Sequence, residues 1–223
     1  MMRHADHDPL ESDPRIAFFN GLADRWDSGE QDPAETVSRL AGLSDLLGLK
    51  AGDDLLEVGC GTGQITGWLA LQVAPGRVVA VDFAEAMLDQ ARRKGIRAEF
   101  RRADVCDADL GERCFDVVLC FHSFPHFRDQ PAALRNLAKT LRPTGRLLVM
   151  HLAGSAEINA FHDQVGGAVA GDHLPVGDDW GPLLASAGLR AQDHEDREGL
   201  FFLAAGLGPA LGSGFAGDPS ASR

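Results

Sequence analysis

From Asp53 onward, short apolar runs alternate with longer amphipathic stretches. The runs at 54–58, 77–82, 97–103, 115–120 and 145–151 predict strands, and the segments 64–73, 84–94 and 131–141 between them predict helices. Helices near 156–166 and 179–187 come next. Two further runs, 189–196 and 199–206, meet at the charged turn Asp196-Arg197-Glu198-Gly199 and predict an antiparallel hairpin. Upstream, Ile16, Phe19, Leu22, Ala23 and Trp26 recur at helical spacing within 15–26. Asp32 and Pro33 then supply the N-cap and first turn of a second helix, which Gly48 ends after Leu47. Strand–helix alternation of this kind predicts an α/β fold with a doubly wound, mainly parallel seven-stranded sheet, helices on both faces and an antiparallel C-terminal hairpin. The expected organisation is a flexible N-terminus (1–14), a helical cap (15–48), one α/β domain (49–206) and a flexible glycine- and alanine-rich tail (207–223).

The junction between the first strand and its helix carries the most specific chemistry. Leu55-Leu56-Glu57-Val58 carries an acid, Glu57, just before its end, and Gly59, Gly61 and Gly63 alternate through the turn that follows. Asp82 closes the second strand. Such a turn lets backbone approach a nucleoside ligand, and an acid at the second strand end accepts hydrogen bonds from a ribose diol. The spacing G-x-G-x-G differs from the G-x-G-x-x-G that seats a pyrophosphate on a helix N-terminus. Glu57 would repel a pyrophosphate, and it suits a cationic ligand.

The segment LLEVGCGTG, with the strand-end acids after it, resembles the class I S-adenosylmethionine-dependent methyltransferases of the small-molecule type, and the likeness runs from about Asp53 to Ala205. It implies the Rossmann-like methyltransferase fold and S-adenosylmethionine as cofactor. It also implies roles for individual residues. Gly59, Gly61 and Gly63 would face the methionyl part, and Glu57 would sit under its amino group. Asp82 would hold the ribose hydroxyls, while Phe83 and Met87 would pack on the adenine. Asp104 and Val105 would meet the adenine edge, and Cys120 would lie where the methyl group points. The cap aromatics Phe18, Phe19 and Trp26, with Asp27, resemble a segment that folds over the cofactor as a lid; an amphipathic packing helix is the alternative.

Composition narrows the acceptor. A net charge of −12 over 223 residues argues against nucleic acid as a partner. The basic positions Arg92, Arg93, Lys94, Arg97, Arg101 and Arg102 read as exposed helix and strand edges. No apolar run approaches the roughly 18 residues of a membrane helix, and the first residues have no signal-peptide core. The four cysteines show no paired spacing, as expected of buried thiols in a cytoplasmic protein. A small-molecule acceptor and a monomer or homodimer are expected.

Histidines supply the candidate acceptor chemistry. His122 and His126 follow the fourth strand and His151 ends the fifth, so these three are the expected catalytic residues, as base or orienting groups. With His162, and with Asp163 and Asp172 as oxygen donors, they could instead hold a transition metal, although no HExxH or paired-cysteine spacing accompanies them. Two other functions stay open: a macromolecule-directed methyltransferase, and a non-catalytic nucleoside-cofactor-binding protein or nicotinamide oxidoreductase on a related fold.

Overall fold

Seven strands hydrogen-bond into one sheet in the order β3-β2-β1-β4-β5-β7-β6. They are β1 (Leu55–Val58), β2 (Val78–Asp82), β3 (Glu99–Arg102), β4 (Phe115–Phe121), β5 (Leu141–His151), β6 (Leu189–Arg197) and β7 (Leu200–Leu207). The computed structural model describes residues 13–28 and 32–208. Nearly all of the two ends expected to be flexible, 1–14 and 207–223, therefore lies outside the described residues.

The first five strands pair in parallel, and β7 inserts antiparallel between β5 and β6. Chain order runs outward from β1 in both directions, through β2 and β3 on one side and β4 and β5 on the other. The two halves diverge at the β1–β4 boundary, and a crevice opens there at the carboxyl ends of the strands.

Side-chain alternation divides the core between the two faces of the sheet. On one face Leu56, Val58, Val118, Cys120 and Val149 pack with Leu134 and Leu137 of α6 (Gln130–Thr140) and with Trp180 and Leu184 of α8 (Trp180–Ser186). On the other, Leu55, Ala80, Val117, Leu119 and Leu148 meet Leu40 of α2 (Pro33–Ala41), Leu47 of α3 (Ser44–Leu47), Leu69 of α4 (Thr66–Val73) and Leu88 of α5 (Glu85–Arg93). Every residue of β1 and β2 is buried, as strands covered by helices on both faces require.

Four boundaries differ from the sequence expectation. The helix expected over 33–47 breaks at Gly42 and Leu43 into α2 and α3. The helix expected from Gln64 begins at Thr66, because residues 61–65 are used by the turn. β5 begins at Leu141, where it pairs with Phe115 before the register shifts to Val117↔Arg146. The first helix, α1 (Pro14–Leu22), tightens into a 3₁₀ turn at Ala23–Arg25.

The cap docks through specific polar contacts. Asp13 caps α1 by accepting from the Arg15 N–H at 2.9 Å. Asn20 Oδ1 accepts from the Ala86 N–H in the first turn of α5 at 3.0 Å. Asp27 reaches the glycine turn, where it accepts from Thr62 Oγ1 at 2.6 Å and pairs with Lys94 at 2.7 Å. Phe19 and Ala23 then pack on Ala84 and Met87, so the cap lies over the crevice at the strand ends.

Candidate active site

The glycine turn is built by backbone geometry that side chains would block. Gly59 sits at φ +70°, and its N–H continues the ladder to Val81 O at 2.8 Å. A Cβ there would collide with the Ser123 side chain, whose hydroxyl donates to Val58 O at 2.6 Å and ties β1 to the loop after β4. Gly61, at φ +54°, turns its N–H onto Asp82 Oδ2 at 2.8 Å. The other Asp82 oxygen accepts from the Ala84 N–H at 2.8 Å. Burial raises the Asp82 carboxyl to about 6, even though those backbone N–H groups favour its charged form.

Gly59, Gly61, Asp82, Phe83, Met87 and Val105 all line one cleft, as do His122 and His126. Val81, Ala103, Ser123 and Phe127 also line it, and Phe19 and Trp26 close it from the cap. The remaining volume is about 70 Å³.

Four expected contacts lie off that lining. Cys120 is fully buried in the core of β4. Gly63 packs towards Ala91 and Ile96. Asp104 accepts from the Cys106 N–H at 2.8 Å and pairs with Arg128. Its burial is outweighed by that N–H and the guanidinium, which hold it below the usual carboxylate range. Glu57 sits behind the glycine turn with 2% exposure, and among the described residues its Oε2 has no partner. Burial, aided by the negative charge of Asp82, pushes its carboxyl up to about 8.

The histidines separate into two pairs. His122 and His151 pack edge to face at 5.0 Å, and His126 and His162 lie 4.8 Å apart. Among the described residues no three His, Cys, Asp or Glu side chains form a set able to hold a metal ion, so His122, His126, His151 and His162 do not converge as ligands. His122 occupies the left-handed region at φ +53°, and its Nε2 accepts from the Leu152 N–H at 3.2 Å. That bond places the ring proton on Nδ1. Desolvation by the surrounding protein, with the charges of Arg39 and His126, pushes its pKa down to about 4, although the residue is exposed on the cleft. His151 is 2% exposed, lies off the cleft, and is likewise driven towards its neutral form by burial.

His126 is placed differently. Its Nδ1 lies 2.8 Å from Asp172 Oδ2, and Asp172 Oδ1 pairs with Arg15 of α1 at 3.1 Å. The Asp172 carbonyl also accepts from His162 Nδ1. With Nδ1 committed to the carboxylate, Nε2 is the nitrogen left for chemistry. His126 borders both the cleft and a second cavity between the cap and α7 (Ser155–Val165). The sequence pattern marks Asp172 only as a possible metal donor and gives Arg15 no role. Their pairing spans 157 residues of chain and leaves no local signal.

Comparison with known proteins agrees with this geometry. A family model described as "Methyltransferase domain" matches residues 56–149. The chain is 30% identical over 188 residues to 27-O-demethylrifamycin SV methyltransferase of Amycolatopsis mediterranei, across 77% of this chain and 66% of that protein. It is 36% identical over 135 residues to nocamycin O-methyltransferase of Saccharothrix syringae, across 58% of this chain and 48% of that one. A solved methyltransferase from Aquifex aeolicus superposes with a TM-score of 0.61 at 22% identity, over 85% of this chain and 97% of that chain.

The chain belongs to the class I S-adenosylmethionine-dependent methyltransferases.

It spans about two thirds or less of the length of these two curated relatives. The order β3-β2-β1-β4-β5-β7-β6 is the sheet expected of this methyltransferase fold, with the antiparallel β7 beside β5. The Asp82 cleft lies at the carboxyl ends of the parallel strands, and the cavity beyond His126 adjoins it.

Proposed function

We propose that this protein transfers a methyl group from S-adenosylmethionine to the hydroxyl of a small molecule, with His126 as general base and Asp172 as the residue that orients it. The observation that carries this reading is the Asp172–His126 pair at 2.8 Å, on the wall shared by two adjoining cavities. The names of the rifamycin and nocamycin O-methyltransferases support a small hydroxyl-bearing acceptor.

The residues present suit the cofactor. The backbone turn at Gly59 and Gly61 leaves open approach, Asp82 offers a buried carboxylate for a diol, and Phe83, Met87 and Val105 offer apolar contact for a base. Glu57, with its unpartnered oxygen, suits an ammonium group behind the turn. S-adenosylmethionine, when bound, supplies an electrophilic methyl on a sulfonium and leaves as S-adenosylhomocysteine. His126 Nε2 takes the hydroxyl proton as the acceptor oxygen forms its bond to carbon. Asp172 holds the ring's orientation and stabilises the imidazolium that results. Phe19 and Trp26 exclude water from the reacting atoms.

Ligand sites are commonly about 300–1,000 Å³, far more than the cleft leaves under the cap. The cap must therefore swing outward for cofactor entry, and the Asn20–Ala86 and Asp27–Lys94 contacts are those that release. His151 serves in this reading as a neutral packing ring, since burial opposes its protonation, whereas His122 is exposed on the cleft wall.

Titration calorimetry with S-adenosylhomocysteine, alone and in competition with NAD, tests the cofactor assignment. Binding of S-adenosylhomocysteine with no displacement by NAD is the expected result. Tighter binding of NAD would overturn it.

A further inference from the structure

The cavity between the cap and α7 has a volume of about 310 Å³, and Phe19, Trp26 and His126 separate it from the cofactor cleft. We propose that it is the acceptor site, and that it takes an apolar, hydroxyl-bearing ring compound and rejects cationic amines. This inference rests on the methyltransferase reading above and deepens it by assigning the acceptor's chemistry.

Three observations carry it. First, the walls are aromatic and aliphatic: Phe18 and Leu22 come from α1, Phe161 and Val165 from α7, and Val169 from the turn after α7. A flat or alicyclic ring system buries apolar surface against such walls without leaving a polar group unpaired.

Second, the polar groups on the lining are of one kind. Arg25 carries the charged group on the lining, His126, His162 and Ser28 supply the other polar groups, and among the described residues no carboxylate borders the cavity. Asp172 is turned away into its bonds with Arg15 and His126. An ammonium entering here would lose its hydration and, among the described residues, find no counter-ion on the lining, which is costly in a low-dielectric site. A neutral hydroxyl loses little and meets His126 at the border with the cleft.

Third, the mouth is apolar and open. Phe161 is 57% exposed and Val165 43% exposed, one helical turn apart on α7, and both line the cavity. Paired exposed apolar residues at a cavity rim gain from being covered. The volume holds one or two rings, so a larger acceptor would extend over this lip.

The chemistry balances without a further reagent. The acceptor O–H bond breaks, its proton passes to His126 Nε2 and then to solvent, and the oxygen forms the new bond to the methyl carbon as the carbon–sulfur bond breaks.

The test uses the full chain saturated with S-adenosylhomocysteine and two matched probes, 2-naphthol and 6-(aminomethyl)-2-naphthol, titrated by calorimetry. At least tenfold tighter binding of the neutral naphthol is expected. Val165→Trp, which fills the mouth from an exposed position, should weaken naphthol binding at least tenfold and leave S-adenosylhomocysteine affinity within twofold. Equal or tighter binding of the amine overturns the inference. So does an undiminished naphthol affinity in Val165→Trp, or no naphthol binding at millimolar concentration. Failure of S-adenosylhomocysteine itself to bind would instead refute the methyltransferase reading, so the two failures are distinguishable.

Discussion

Replacing Glu57 by glutamine should stabilise this protein, and by an amount that depends on pH. Glu57 is 2% exposed and its Oε2 has no partner among the described residues; burial, opposed by the Thr66 hydroxyl and aided by the Asp82 charge, pushes its carboxyl up to about 8. In the unfolded chain the same carboxyl loses its proton near 4.5. Between those values the folded state binds more protons than the unfolded one, so stability falls as pH rises from about 4.5 to about 8. At about 1.36 kcal/mol per pH unit, the full span corresponds to about 5 kcal/mol. Local relaxation and water entry reduce this to roughly 3–5 kcal/mol.

Glutamine is close in shape and does not ionise. Urea denaturation of wild type and Glu57→Gln should give nearly equal stabilities at pH 5. At pH 8.5 the variant should be more stable by about 3–5 kcal/mol, or about 6–20 °C in melting temperature for a chain of this size. The contribution of Asp82, raised to about 6, is present in both proteins and cancels in the difference. A difference that does not change with pH, or a variant less stable than wild type at pH 8.5, would refute the reasoning. It would mean that Glu57 is ionised and partnered in the folded protein.

Other outcomes follow from the same geometry. His126→Ala should lower kcat by about 10²–10⁴-fold while S-adenosylhomocysteine affinity in calorimetry stays within a few-fold, the range expected for loss of a general base. Asp172→Asn keeps the shape of the orienting residue but removes its charge, and should cut kcat with little change in acceptor KM. Arg15→Ala should act in the same direction more weakly, with partial recovery in Arg15→Lys, because the guanidinium holds Asp172 from the cap at 3.1 Å; equal activity in all three Arg15 forms would remove Arg15 from the machinery. Asp82→Ala should abolish S-adenosylhomocysteine binding in the same titration, and retained affinity would overturn its assignment to the ribose.

Local pattern was enough for the sheet and for the glycine turn and the strand-end Asp82 that border the cleft. Alternating apolar runs placed all seven strands, and the Asp196–Gly199 turn marked the antiparallel pair, because strand period and turn chemistry act over a few residues. Gly59 and Gly61 were legible for the same reason: their positive φ angles and the bond from Gly61 to Asp82 belong to one strand–turn–strand unit. The break of the second helix at Gly42 and the early start of β5 at Leu141 were not legible, since packing against the sheet overrode continuous helix and strand patterns.

The histidine side of the cleft was decided by tertiary structure. In the sequence His122, His126 and His151 are equivalent strand-end histidines. Folding buries His151 away from the cleft, fastens His122 Nε2 to the Leu152 N–H, and leaves His126 beside Asp172 on the wall between two cavities. Whether an imidazole stays neutral, is held in one tautomer or faces a cavity depends on groups brought together from distant parts of the chain. Arg15, His126 and Asp172 are such a group, contributed by the cap, the turn after β4 and the segment after α7. The sequence by itself determined the strand ends and the turn that border the cleft. Only the packing of the cap against the α7 side determined which histidine has a carboxylate behind it and an apolar cavity in front.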